Sequence, residues 1–205
     1  GAFVEKLNIY WKTNWIWPYR DFSPATLPPE TRFAFTVPTT LRGGWSVTPG
    51  VQWRTYEFPQ ASYGHLRVER TLGASVDTVP YVVPAPIHDA WIGQLQVTSP
   101  QFPRFAFDLN VQTGKDVNFT EPDRSAFLLV GVSADLRPTS QVRATTTYDL
   151  VRRNRERDGT RFSTQHVARV KLEYQLSRPI FFRFVGQYSV DEQAALIDPA
   201  TGFPL

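Results

Sequence analysis

The residues able to act on a polar ligand are strung out singly along the chain. Arg143, Asp149, Arg169, Lys171, Glu173, Arg183 and Gln187 each stand between small, apolar or aromatic neighbours at period two. Such a set would line a polar conduit and select ions or sugars, as charged rings do. Because both signs are interleaved, a self-neutralising network inside a barrel is the simpler account. No carboxylate pair has a spacing that fixes glycosidase geometry. His65, His88 and His166 lack metal-ligand spacing. The chain contains no nucleophile-elbow, zincin, Walker or dinucleotide motif. The sequence therefore points to no catalytic residue, no metal and no cofactor.

Strands must carry this set. From Ala168 to Leu176 the even positions are apolar or aromatic, and Arg169, Lys171, Glu173 and Gln175 fill the odd ones. After Ser177-Arg178-Pro179 the pattern resumes, with Ile180, Phe182, Phe184, Gly186, Tyr188 and Val190 against Phe181, Arg183, Val185, Gln187 and Ser189. Alternation at period two places successive side chains on opposite faces of a strand. The parity and the short link pair Leu176 with Ile180 and set Glu173 opposite Arg183, a complementary cross-strand pair.

Seven more strands read the same way, near 3–17, 31–41, 45–58, 90–98, 104–112, 126–136 and 141–152. Pro49 suggests a bulge in the third. Short links fall near 42, 100, 138 and 178. Long ones fall near 24, 73, 119 and 156, with 113–125 read as a polar loop. Alternating short and long links are the mark of outer-membrane barrels. The reading is an all-β, antiparallel up-and-down transmembrane β-barrel segment of about nine strands over residues 1–205, with the barrel incomplete. Gly1-Ala2-Phe3 enters a strand almost at once, as a piece of a longer chain would.

The composition fits. The 205 residues hold no Cys, so neither disulfides nor thiolate metal sites arise. A mean hydropathy of −0.30 is compatible with a barrel, because alternation dilutes every segment. A net charge of +3 is spread over strands and loops, which argues against nucleic acid. Trp11, Trp15, Trp17, Trp45, Trp53 and Trp91 share the apolar parity of their strands, which favours interfacial anchoring over sugar stacking. Arg152, Arg153, Arg155 and Arg157 read as a solvated outer turn rather than as a lipopolysaccharide phosphate site.

The segment Arg137 to Leu205 resembles the C-terminal β-barrel of a bacterial family of unknown function. In that family the barrel follows a domain similar to family 9 carbohydrate-binding modules. The residues carrying the resemblance are Arg137-Pro138-Thr139-Ser140, Tyr148-Asp149-Leu150-Val151-Arg152, Gln175-Leu176-Ser177-Arg178-Pro179 and Phe182-Arg183-Phe184-Val185-Gly186-Gln187-Tyr188. The resemblance implies a missing N-terminal carbohydrate-binding domain and at least one missing final strand. The barrel pattern itself implies a bacterial outer-membrane location with membrane lipid and lipopolysaccharide as candidate partners, and the resemblance adds a carbohydrate ligand in a surface or uptake role. It supplies no catalytic residue. The competing expectation is a soluble all-β ligand-binding protein, a sandwich or a lipocalin-like barrel.

Overall fold

A computed structural model describes residues 3–18, 28–72 and 75–205. The chain is all-β and antiparallel. Its strands are β1 (Val4–Leu7), β2 (Tyr10–Ile16), β3 (Glu30–Thr36), β4 (Thr39–Leu41), β5 (Trp45–Tyr56), β6 (Arg67–Leu72), β7 (Ser75–Pro80), β8 (Ile87–Thr98), β9 (Phe105–Asn118), β10 (Asp123–Leu136), β11 (Val142–Arg155), β12 (Arg161–Gln175) and β13 (Phe181–Gln193). β6 and β7 form a separate hairpin, and the other strands form one 11-stranded sheet. β1 and β2 pair with β4 and β3, so each couple makes one interrupted stave, and both β3 and β4 pair with β5. From β5 the order runs β8, β9, β10, β11, β12, β13, each strand beside its neighbour. The nine staves follow the up-and-down order expected from the sequence. Among the described residues no ladder joins β13 to β1 or β2.

The register follows parity and turn chemistry. Glu173 stands opposite Arg183, as the short link requires. Gly43 and Gly44, both at positive φ, make the tight turn before β5, because only glycine enters that region freely. At Asp158-Gly159 the Asp158 carboxylate accepts the Thr160 amide at 2.8 Å, and Gly159 takes φ 71°.

Three expectations are corrected. Pro49 makes no bulge and pairs in register with Leu95. Its carbonyl accepts the Val37 amide, so its missing donor faces the junction where β3 gives way to β4. The register shift in this pair lies instead between Arg54 and Tyr56. Next, 113–125 is not a loop, since β9 continues to Asn118 and β10 begins at Asp123. Last, the links after β9 and β11 are only Phe119–Pro122 and 156–160, no longer than those at the opposite end. The asymmetry between the two ends therefore comes from strand extension, from the 57–86 insertion and from the long link between β2 and β3, most of which lies outside the described residues. Polar residues extend these strands because each finds a cross-strand partner, as with Ser125 opposite both Asp116 and Arg155.

The insertion builds the core. Phe58, Tyr63, Val68 and Tyr81 from it pack with Ile87, Ala90 and Val117 at the ends of β8 and β9. This is the capped end of the sheet. Residues after β13 reach the same place: the Glu69 amide donates to the Pro204 carbonyl at 2.9 Å, and Leu205 packs on the cluster.

Candidate functional site: the two faces of the sheet

The seven residues singled out from the sequence lie on one face. Arg143, Glu173 and Arg183 share one lateral row, as do Thr145, Lys171 and Val185, then Thr147, Arg169 and Gln187. Asp149 is opposite Val167 in the next row. Glu173 is the hub at the short-turn end, accepting from Arg183 at 2.9 Å and Lys171 at 3.1 Å. Arg143 turns instead to Asp135, at 2.8 Å, which also holds Arg137 at 2.7 Å. A recess of about 800 Å³ opens there, lined among others by Arg104, Arg137, Arg143, Glu173 and Phe181. Asp149 lines a second, smaller recess with Gln96, Asn110 and Ser133.

The same face carries a deeper network that the sequence reading missed. Arg54 reaches Asp116 at 2.9 Å and Glu30 at 3.7 Å, and Arg153 approaches Asp116 at 3.4 Å. Here β5, β9 and β11 are tied across the strands between them. Reading 113–125 as a loop hid Asp116 and Glu121. The signal was parity, since Asp116 shares the even polar face of β9 with Asp108 and Asn110.

The expected solvated turn of arginines is overturned. Arg155 is buried and binds Glu121, which is fully buried, through two donors at 2.7 and 2.8 Å. Arg157 adds a third donor at 3.2 Å, and the Ile197 amide a fourth at 2.9 Å. Arg155 also donates to the Ala195 carbonyl at 2.8 Å. Every lone pair of the carboxylate has a partner, which is what burial of a charge demands. The pair thus ties the β9–β10 turn, the end of β11 and the segment after β13 together. Nearby, burial pushes the Asp123 carboxyl above its ordinary pKa, with Glu121 reinforcing the effect against Arg157 and Arg124.

The opposite face is apolar and uncovered. Its rows include Phe105, Leu136, Ala144, Leu172 and Phe184, and then Val97, Leu109, Val132, Tyr148, Ala168 and Tyr188. Leu172, Phe184 and Tyr188 are 42%, 63% and 68% exposed. Trp11, Trp15, Trp53 and Trp91 are exposed too. Trp45 instead meets Phe107 edge-on at 5.6 Å.

The apolar zone runs oblique to the hydrogen-bonded rows. In β8 it spans Trp91 to Val97, and in β12 it spans Ala168 to Tyr174. Val97 and Ala168 lie in the same row, reached through Leu109, Val132 and Tyr148. Both edges therefore slip by six residues over four strand spacings. That is about 20 Å along the strands against about 19 Å across them. The strands cross the zone at roughly 45°, within the range typical of membrane barrels.

Among the described residues no group of His, Asp and Glu could hold a metal ion, and no helix is long and apolar enough to cross a membrane. Comparison of the chain with family models, curated proteins and solved structures returned no match.

Proposed function

We propose that this sheet is the wall of an outer-membrane β-barrel, with the apolar face toward lipid and the polar face lining the interior. The observation that carries the proposal is the uncovered apolar zone and its oblique course. A soluble sheet buries its apolar face against a second layer. Here the buried core sits at one end instead, under the insertion. An exposed apolar surface this extensive marks an interface with protein or membrane. A tilt near 45° gives a flat band the slanted outline seen across the register.

The polar face supports passage or binding of a polar solute, with Glu173, Asp135 and their arginines at the short-turn end. A carbohydrate ligand rests on the resemblance of Arg137–Leu205, and sugar-linked surface display or uptake is the role it suggests. The soluble ligand-binding alternative needs a covering layer over residues such as Leu172 and Phe184.

Single cysteines along 166–176 test the proposal, in a chain with no native Cys. Even positions should react with a lipid-phase probe and odd positions with a water-soluble thiol reagent, in membranes. Protein that stays in solution without detergent, with both sets shielded from lipid, would sink it.

A further inference from the structure

Beyond the apolar zone, toward the capped end, the same face changes chemistry. Lys115 on β9 and Arg161 on β12 share the lateral row of Trp91, Ala126 and Asn154. Arg152 on β11 stands two pairs closer to the apolar zone, in the row of Leu128 and Thr164, and Arg124 on β10 stands two pairs further out, opposite Val117. Four consecutive strands thus each present one cation on the apolar side, within two residue pairs of a common row. Two carboxylates stand among them: Glu156 forms ion pairs with Lys115 and, at 3.1 Å, with Arg124, and Glu192 on β13 ends the row of Arg152 and Thr164. Asp89 on β8 takes another Arg124 donor at 2.6 Å. Arg152 keeps a buried Nε with no hydrogen-bond partner, and Asn154 beside it a buried Oδ1 in the same condition.

The other edge of the zone differs. There the same face ends in Phe105, Tyr174 and Phe182, and the cations Arg42 and Arg178 stand in the turns beyond the strands, not on the face. A charge asymmetry at headgroup depth distinguishes the two leaflets, and cations beside an apolar band favour anionic headgroups. Guanidinium groups suit phosphate in particular, because their donors match its oxygens in pairs.

We infer that Lys115, Arg124, Arg152 and Arg161 form an arc that holds the phosphate groups of membrane lipid on the capped side. The inference rests on the membrane proposal and names the lipid class at one edge of the apolar face. The occupant is an anionic lipid bearing phosphomonoesters, as distinct from a zwitterionic phosphodiester lipid or free phosphate, because the arc is cationic and borders directly on Leu128 and Leu150, where acyl chains would lie.

The test uses the full chain refolded into phosphatidylcholine vesicles, alone or doped with the bis-phosphorylated glycolipid lipid A. Glycolipid retained per protein is measured after detergent extraction. The unmodified protein should retain it, and Arg152→Gln/Arg161→Gln should lower retention about tenfold or more, with unchanged heat-modifiable mobility on gels. Arg42→Gln/Arg178→Gln, at the opposite edge, should retain it in full. Equal retention by the arc variant, equal loss in the control variant, or displacement by inorganic phosphate would overturn the inference. Insertion with no preference for the doped vesicles overturns it alone. Failure to insert into either vesicle overturns it together with the membrane proposal.

Discussion

The capped end and the apolar zone of the same strands are built on opposite rules. At the capped end Tyr81 is buried, Glu121 and Arg155 satisfy one another, and Val117 is fully enclosed. Some 15 to 25 Å along β12, at the spacing of a strand, Val170 and Leu172 stand open on one face and Arg169 and Lys171 on the other. The first region is organised as a water-soluble protein is, with apolar groups inside and buried charge neutralised. The second is the reverse, with apolar groups uncovered on one face and charges on the other. On the membrane proposal, one chain uses both because its strands run longer than a bilayer requires. β9 to β12 have 14 or 15 residues, where a tilted spanning strand needs about 9–11. On that proposal the overhang meets water and folds accordingly.

The largest effect should come from breaking the buried pair. Arg155→Ala leaves Glu121 charged and enclosed, and should destabilise the capped end by about 3–5 kcal/mol. Hydrogen exchange of 119–122 and 194–198 should rise together, while exchange in the apolar zone of β12 stays slow. Replacing both residues by Met should recover much of the loss. Equal loosening of the whole sheet would show that the two regions are one cooperative unit.

Next in size is an attack on the apolar zone. Leu172→Arg should impair insertion by about 2–4 kcal/mol near the midplane. Its neighbour Lys171→Leu, on the polar face, should change folding yield in vesicles little. Matching penalties for the two would reverse the face assignment.

Tyr81 sharpens the contrast from the core side. Its hydroxyl is buried without a hydrogen-bond partner, and burial raises its pKa above the ordinary tyrosine value. Tyr81→Ala should cost about 3–5 kcal/mol through the cavity it leaves. Tyr81→Phe should be close to neutral or stabilising, because it removes an unsatisfied polar group. Thermal unfolding monitored by near-ultraviolet dichroism distinguishes these outcomes.

The smallest effect concerns the 156–160 turn. The Thr160 hydroxyl and amide hold the Asp158 carboxyl below its ordinary value of 3.8. A depressed carboxyl stabilises the turn fully above the ordinary value and loses that contribution as pH falls through the lowered one. Thr160→Val removes the hydroxyl donor and should move the loss to higher pH, read from the Thr160 amide shift in an NMR titration. An unchanged midpoint would show that the amide alone holds the carboxylate.

How far the sequence reached follows from the range of each interaction. Period-two alternation is local, so it located the nine staves, their faces and the placement of Arg143, Glu173 and Arg183 on one side. Parity and a short link were enough for the β12–β13 register, because a slip of one residue would turn every side chain over. Strand ends were less legible. Lys115, Asp116 and Arg153 look like loop residues in a hydrophobicity pattern, yet cross-strand ion pairs keep them in the sheet. The pairing of Arg155 with Glu121, 34 positions away, has no local signature. Nor does the return of Pro204 to Glu69. Alternation by itself determined which side chains face which way; only the tertiary structure decided where a face stops meeting the apolar surroundings, because that depends on which distant segment covers it.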